Sequence, residues 1–240
     1  MLTKAIYLTD PYKKSMQAKV LAVAIETPGV WRLILDQTVF YPMGGGQPTD
    51  QGIMVFSDGL EGEVNRVMLK EGEINHFVKM DREPVVGEKV VGTIDWERRF
   101  RHMRIHSAGH VIDFAMFLLG FSPHQLKPVK GDHGKKPFIV YQGTLGQDIR
   151  QQLEERAQQL VRDQRAFSWS FEPLEVLEKR AIYLQPGLPL HKPLRCLFLE
   201  GVGAVADGGT IVANTREVGN ITILSIEQRE GNTQVNYQVS

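Results

Sequence analysis

Up to about residue 92, apolar positions come in short runs rich in Val and Ile, each closed by Gly, Pro or Asp. Lys19 to Ile25, Val30 to Leu35, Gly52 to Phe56, Glu63 to Leu69 and Ile74 to Val78 are such runs, and their spacing predicts the strands of an all-β barrel or sandwich. The period changes at Asp95, placed as an N-cap. From Trp96 to Leu119, Ala108, Val111, Ile112, Ala115, Met116 and Leu119 recur at three- and four-residue intervals, which predicts one long helix stopped at Gly120. A second helix is predicted from Gln147 to about Ala166, with Ile149, Leu153, Ala157, Leu160 and Val161 turned towards a sheet. Strand-like runs follow at Ser168 to Glu172, Leu194 to Leu199, Thr210 to Ala213, Asn220 to Gln228 and Gln234 to Val239. The fold class expected is therefore α+β, with a β domain over 1–94 and an α+β domain over 95–240.

Composition narrows this picture without redirecting it. A chain of 240 residues suits one large domain or two ordinary ones, and its 42% apolar and 23% charged residues suffice for a core and argue against disorder. No apolar run approaches the roughly 20 residues that span a bilayer, and the opening segment lacks an apolar stretch followed by a cleavage site, so a cytoplasmic protein with no membrane partner is expected. One cysteine, Cys196, excludes an internal disulfide and a Cys-rich zinc knuckle. Twenty-eight basic residues against 28 acidic ones give no global attraction to nucleic acid, so any RNA contact must come from local patches.

Three segments carry candidate chemistry. In His106-Ser-Ala-Gly-His110 the two imidazoles stand one helical turn apart and point the same way, an arrangement that supplies two ligands to a metal with the others drawn from elsewhere. Such a pair alone is more often ordinary helix surface. Asp207-Gly-Gly-Thr210 is a tight turn where a backbone can approach a ligand, or simply a hairpin turn. Tyr41-Pro-Met-Gly44-Gly45-Gly46-Gln47-Pro-Thr-Asp50 exposes backbone amides able to hold a carbonyl oxygen or phosphate, although most Gly-rich loops are structural. Two cationic stretches flank the His pair: Arg98, Arg99, Arg101 and Arg104 before it, and Lys127, Lys130, Lys135 and Lys136 after it. They read either as phosphate contacts or as solvated helix face.

In this order and at these separations the segments resemble the alanyl-tRNA editing proteins and the editing region of alanyl-tRNA synthetases, over nearly the whole chain. Residues 36–47 with Asp50 and Gly52 look like the family's strand and Gly-rich loop, Arg98-Arg99 leads into the HxxxH helix, and 207–219 looks like its Cys-Gly-Gly-Thr-His-Val segment. The resemblance implies a β-barrel-like N-terminal domain and a C-terminal α+β editing domain of the threonyl/alanyl-tRNA synthetase type. It also implies zinc, held in the family by both helix histidines and by the later Cys and His, which here are Asp207 and Ile211. Ile binds no metal, so the expected ligands are His106, His110 and Asp207 with an open position, and loss of the metal is the alternative. His191 and Cys196 match no ligand position. Gly109 stands where the synthetases have a pocket-lining Thr, and is expected to enlarge the amino-acid pocket or to remove a hydroxyl contact.

The activity implied is hydrolysis of mischarged tRNA for alanine, carrying serine first and glycine second, by a chain acting in trans. His106 and His110 are its catalytic residues. Gly44, Gly45, Gly46, Gln47, Gly109 and Thr210 would contact the aminoacyl group, and Arg98, Arg99, Lys135 and Lys136 the tRNA. Two other readings stay open: a silent tRNA-binding module, and a metal-dependent hydrolase of another small ester.

Overall fold

The structure, a computed structural model, describes residues 3–185, 187–188 and 192–240; His191 lies outside them. The chain divides into two compact units, Met1–His102 and Met103–Ser240, with the division inside one helix.

The first unit is built on β1 (Lys4–Ala5), β2 (Ser15–Thr27), β3 (Val30–Leu35), β4 (Gln37–Thr38), β5 (Gly52–Phe56), β6 (Glu61–Lys70), β7 (Glu73–Lys79) and β8 (Lys89–Ile94). Six of these close a barrel in the order β2-β3-β7-β6-β5-β8, and the short β1 and β4 pair in parallel. Strict in-out alternation explains the closure. In β8 every second residue, Val90, Gly92 and Ile94, is buried, and the opening half of β2 does the same with Met16, Ala18 and Val20. The β8 strand went unread in the sequence because Lys89-Val-Val-Gly-Thr-Ile94 carries a glycine where packing demands one: a Cβ on Gly92 would sit 2.9 Å from the Phe40 ring.

A buried polar pair, Thr38 and His76, lies in this barrel. The Leu33 carbonyl can only accept, so His76 Nδ1–H donates to it at 3.3 Å and the neutral ring's Nε2 accepts from the Thr38 hydroxyl at 2.8 Å, whose oxygen in turn accepts the Phe40 amide at 3.0 Å. Burial lowers the His76 pKa from 6.5 to about 4. Above pH 6.5 the ring is neutral in folded and unfolded chains alike. As pH falls towards 4 only the unfolded chain takes up the proton, so stability drops by up to about 3 kcal/mol. Urea unfolding at pH 7 and pH 4.5 should show this loss, and His76→Gln should remove most of it. An equally steep decline in that variant would assign the acid sensitivity elsewhere.

Helix α1 (Trp96–Leu118) begins with the expected cap, Asp95 Oδ1 accepting the Arg98 amide at 3.0 Å. It ends in a Schellman arrangement, with Gly120 N bonded to Phe117 O and Phe121 N to Met116 O. Its middle departs from expectation. Instead of one apolar stripe, every residue from 106 to 116 is buried, including His106, Ser107, His110 and Asp113. Polar residues on a helix with no exposed side need partners, and the second unit supplies them.

That unit adds β9 (Lys127–Asp132), β10 (Phe138–Gln142), α2 (Arg150–Arg162), β11 (Phe167–Glu172), α3 (Leu174–Arg180), β12 (Ala181–Tyr183), β13 (Leu194–Leu199), β14 (Gly203–Ala206), β15 (Ile221–Arg229) and β16 (Asn232–Val239). Two four-stranded sheets result, β15-β16-β10-β9 and β11-β13-β14-β12. The protein is thus sheet-rich α+β. Leu153, Ala157 and Leu160 bury one face of α2, while Glu154 and Gln158 bond the Ile223 amide and the Ile221 carbonyl of β15. Thr210 to Ala213, expected as a strand, is irregular: Val212 N bonds the Ser107 hydroxyl of α1 at 3.0 Å rather than a neighbouring strand. No described helix is long and apolar enough to cross a membrane.

Candidate functional site

Local chemistry brings Asp207 to the His pair. β14 ends at Ala206, the Asp207 amide bonds the Arg195 carbonyl of β13, and the Ser107–Val212 bond ties the following segment to α1. The Asp207 carboxylate is held at both oxygens. Oδ2 accepts from Arg195 Nη1 at 3.0 Å, and Oδ1 accepts the Gly209 amide at 3.0 Å. The same Arg195 nitrogen donates to Gly209 O at 2.9 Å, and its guanidinium lies over the Trp169 ring at 4.6 Å. Oδ1 is thereby aimed at both imidazoles, 3.3 Å from His106 Nε2 and 3.5 Å from His110 Nε2.

These distances are long for charge-assisted hydrogen bonds, yet they fit a shared cation. Ligands bonded at roughly 2.0–2.1 Å to a tetrahedral metal stand about 3.3 Å from one another. The three ligand atoms all lie within 4.8 Å of each other, and His110 Nε2 is a buried atom without a well-formed hydrogen bond. Two imidazoles, one carboxylate and a remaining open position are a donor set for a divalent transition metal. The residues present therefore fit such an ion, with Asp207 contributing oxygen where a thiolate is absent.

The electrostatics fit equally well. Burial lowers the His106 pKa against the pull of Asp207. Burial also acts downwards on His110, but there the Asp207 carboxylate prevails and the net direction is up. For Asp207 burial alone would raise the pKa, and the two imidazoles hold it well below the usual carboxylate range. The carboxylate is ionised at neutral pH, as a ligand must be.

Three residues of this neighbourhood escaped the sequence reading. Arg195 had a detectable signal, a cation inside the apolar run Leu194-Arg-Cys-Leu-Phe-Leu199. Asp113, one turn beyond His110, accepts from the Tyr141 hydroxyl at 2.6 Å and the Tyr183 hydroxyl at 2.9 Å, and burial raises its pKa. His133 follows β9, and its ring stacks on His106 with centroids 4.4 Å apart and planes 17° off parallel. No periodicity announces it.

The other sequence-predicted residues have mixed fates. Gly109 opens no space, because His133 fills the volume its side chain would take: a Cβ there would meet His133 Cε1 at 2.7 Å. Thr210 is buried in the segment after Asp207, with Ile211 fully buried as an apolar residue beside it. Cys196 is packed with Leu177, Leu194, Ala204 and Ala206 in a small core. Gly44, Gly45 and Gly46 form an exposed loop tip in the first unit, Gly45 and Gly46 at φ of 54° and 78°, and Gln47 is buried beneath it.

Among the cations, Arg99 corrects the expectation of a phosphate contact. It is fully buried, ion-paired with Asp50, and donates to the carbonyls of Pro11 and Val39. Arg104 likewise serves structure, bonding the carbonyls of Val218 and Ser240. Arg98 is half-buried and donates to Thr49 O at 3.0 Å. Lys135 and Lys136 are exposed between β9 and β10.

Residues 7–98 match the family model described as tRNA synthetases class II (A). The chain is 34% identical over 248 residues to the alanyl-tRNA editing protein AlaX-M of Saccharolobus solfataricus, covering 99% of both proteins. With AlaX-M of Methanosarcina barkeri the identity is 33% over 238 residues, 95% of each. It is also 36% identical over 230 residues to the alanine–tRNA ligase of Pyrococcus furiosus, where 94% of this chain spans 24% of the ligase.

Proposed function

The chain belongs to the alanyl-tRNA editing protein family, and on that premise we propose that it is a trans-acting deacylase that hydrolyses mischarged tRNA(Ala), serine first and glycine second. The observation carrying this reading is the convergence of His106 Nε2 and His110 Nε2 on one oxygen of Asp207 inside a buried helix. The reaction is attack of water on the ester carbonyl joining the amino acid to the terminal ribose. That ester is already activated, so fixing water and carbonyl in one place supplies most of the acceleration.

His106, His110 and Asp207 would hold a divalent ion, zinc by family resemblance, which when bound supplies Lewis acidity to the carbonyl and a more acidic water. Asp207 stays ionised beside Arg195, and its Oδ1, which can only accept, faces the two imidazole Nε2 atoms, so an Nε2–H donates to it until an ion takes that proton's place. Where no ion is held, His106, kept neutral by burial, is the base that takes a proton from water at its unprotonated ring nitrogen, and Asp207 balances the resulting charge.

The remaining assignments belong to the same reading. The 1–94 region is taken as the barrel domain and 95–240 as the editing domain. The amides of Gly44, Gly45 and Gly46 with Gln47 and Thr210 are candidates for the aminoacyl group, and Lys135, Lys136 and the half-buried Arg98 for phosphates near the acceptor end. Phosphate contacts position the RNA without reading it, which suits exposed lysines.

The test incubates purified protein with tRNA(Ala) carrying serine, glycine or alanine and follows release of each amino acid with and without a chelator. Serine and glycine released faster than alanine, with inhibition by the chelator, is the expected result. Release of none, even with added zinc, would leave a tRNA-binding module in place of an enzyme.

A further inference from the structure

His133 has no part in the ligand set just described, yet the second unit makes unusual room for it. A Cβ on Gly109 would lie 2.7 Å from its Cε1 and 3.2 Å from its Nδ1, and a Cβ on Gly131 would lie 2.8 Å from its Nε2. Separations under about 3.0 Å do not occur for real side chains, so an imidazole in this place requires glycine at both positions. Position 109 is in the middle of a helix, where glycine costs about 1 kcal/mol relative to alanine. That cost is borne at a helix turn between two metal-type ligands.

The ring is also fixed from its far edge. The Tyr237 hydroxyl donates to the Ile105 carbonyl of α1 at 3.0 Å, so its oxygen is left to accept from His133 Nδ1–H at 2.7 Å. The connection runs from Ile105 through Tyr237 and His133 and returns to α1 as the stack on His106. Helix, β16 and the residue after β9 thus form a closed circuit around one side chain. His133 offers His106 the face of its ring, while its two nitrogens are turned to Tyr237 and to Gly131.

We propose that His133 is the positioning residue for His106: its stacked, Tyr237-anchored ring holds the His106 imidazole in the plane that aims Nε2 at Asp207 Oδ1. The inference rests on the metal-site reading of His106, His110 and Asp207. Histidine ligands on a helix have two free side-chain torsions, and a neighbouring group that locks them raises affinity without touching the ion; losses of 10- to 100-fold are typical when such support is removed. His110, itself a ligand candidate, also stacks on His106, with centroids 5.0 Å apart and planes 25° off parallel.

The test compares wild type, His133→Ala, His133→Phe, Gly109→Ala and the Gly109→Ala/His133→Ala double variant by cobalt(II) titration, with thermal melting as a fold control. His133→Ala is expected to bind cobalt(II) at least about tenfold more weakly, and His133→Phe, which keeps a flat ring for stacking, within about threefold of wild type. Gly109→Ala should reproduce the His133→Ala loss by displacing the ring, and the double variant should be no worse than either single one. Affinity within threefold of wild type in His133→Ala, or no rescue by phenylalanine, would overturn the proposal. Should the wild type take up no cobalt(II), the metal reading itself fails, and nitrogen-15 NMR of the metal-free protein decides. A His106 ring sharp and in one tautomer in wild type but exchange-broadened in His133→Ala then supports positioning, and identical spectra refute it.

Discussion

His110→Ala is expected to lower kcat/KM for deacylation of serine-charged tRNA(Ala) by at least 100-fold while leaving the protein folded. The magnitude follows from the ligand role of the imidazole. As one of three ligands it cannot be removed without leaving a two-ligand site. The fold should survive because the substitution deletes a group rather than stranding one. Asp207 keeps Arg195 and the Gly209 amide, and Asp113 keeps Tyr141 and Tyr183. Asp207→Asn would be the poorer probe, since it strips a buried Arg195 of its counter-charge and confounds chemistry with stability. Single-turnover release of serine, measured beside circular dichroism and metal content, makes the comparison. A folded His110→Ala protein within tenfold of wild type would remove His110 from the mechanism.

The barrel was legible because alternation is a local property. Met54 and Phe56 of β5 face inwards whatever the remaining strands do, and a period of two survives in any short window. The second unit was legible in its helices and less so in its sheets. α2 carried its own stripe, but Lys127-Pro-Val-Lys-Gly-Asp132 has the composition of a loop and becomes β9 only because β10 pairs with it. The buried middle of α1 shows the opposite limit. Its apolar residues were read as one face, whereas groups distant in sequence meet the polar residues between them: Tyr141 and Tyr183 bond Asp113, the Val212 amide bonds Ser107, and Asp207 faces His106 and His110.

The site divides along the same line. His106 and His110 are fixed by helical spacing, and Asp207 by likeness to a ligand-bearing segment, so these three could be named beforehand. Arg195, His133 and Tyr237 are contributed by tertiary neighbours, and no interval in the sequence links 133 to 106 or 237 to 105. Gly109 illustrates the resulting error. A missing side chain reads in sequence as empty space, but packing density is conserved in protein interiors, and a histidine 24 residues away had taken it. Arg99 was misread for the complementary reason. A run of arginines suggests a surface, and only the fold shows that one of them turns inwards to meet Asp50.

Arg99→Met is accordingly expected to destabilise the protein by about 3–5 kcal/mol, the cost of leaving a buried carboxylate without its partner. Asp50 is fully buried and receives Arg99 Nε at 3.0 Å on both oxygens. The effect reaches the Gly-rich loop, because Asp50 Oδ2 also accepts the Tyr41 amide at 2.7 Å while the Asp50 amide returns to Tyr41 O at 3.0 Å. These bonds clamp the two ends of the segment that carries Gly44, Gly45 and Gly46, so a repelled or protonated Asp50 loosens its base. Adding Asp50→Asn should recover part of the loss by removing the stranded charge. The salt dependence of tRNA binding separates this role from the one first expected of the residue. A cation that meets phosphate contributes about 0.9 to the slope of log affinity against log salt, whereas one sealed in a barrel contributes nothing. Urea unfolding of Arg99→Met should therefore show the large loss, and tRNA binding by its folded fraction the wild-type slope; a slope reduced by about one would place Arg99 against the RNA after all.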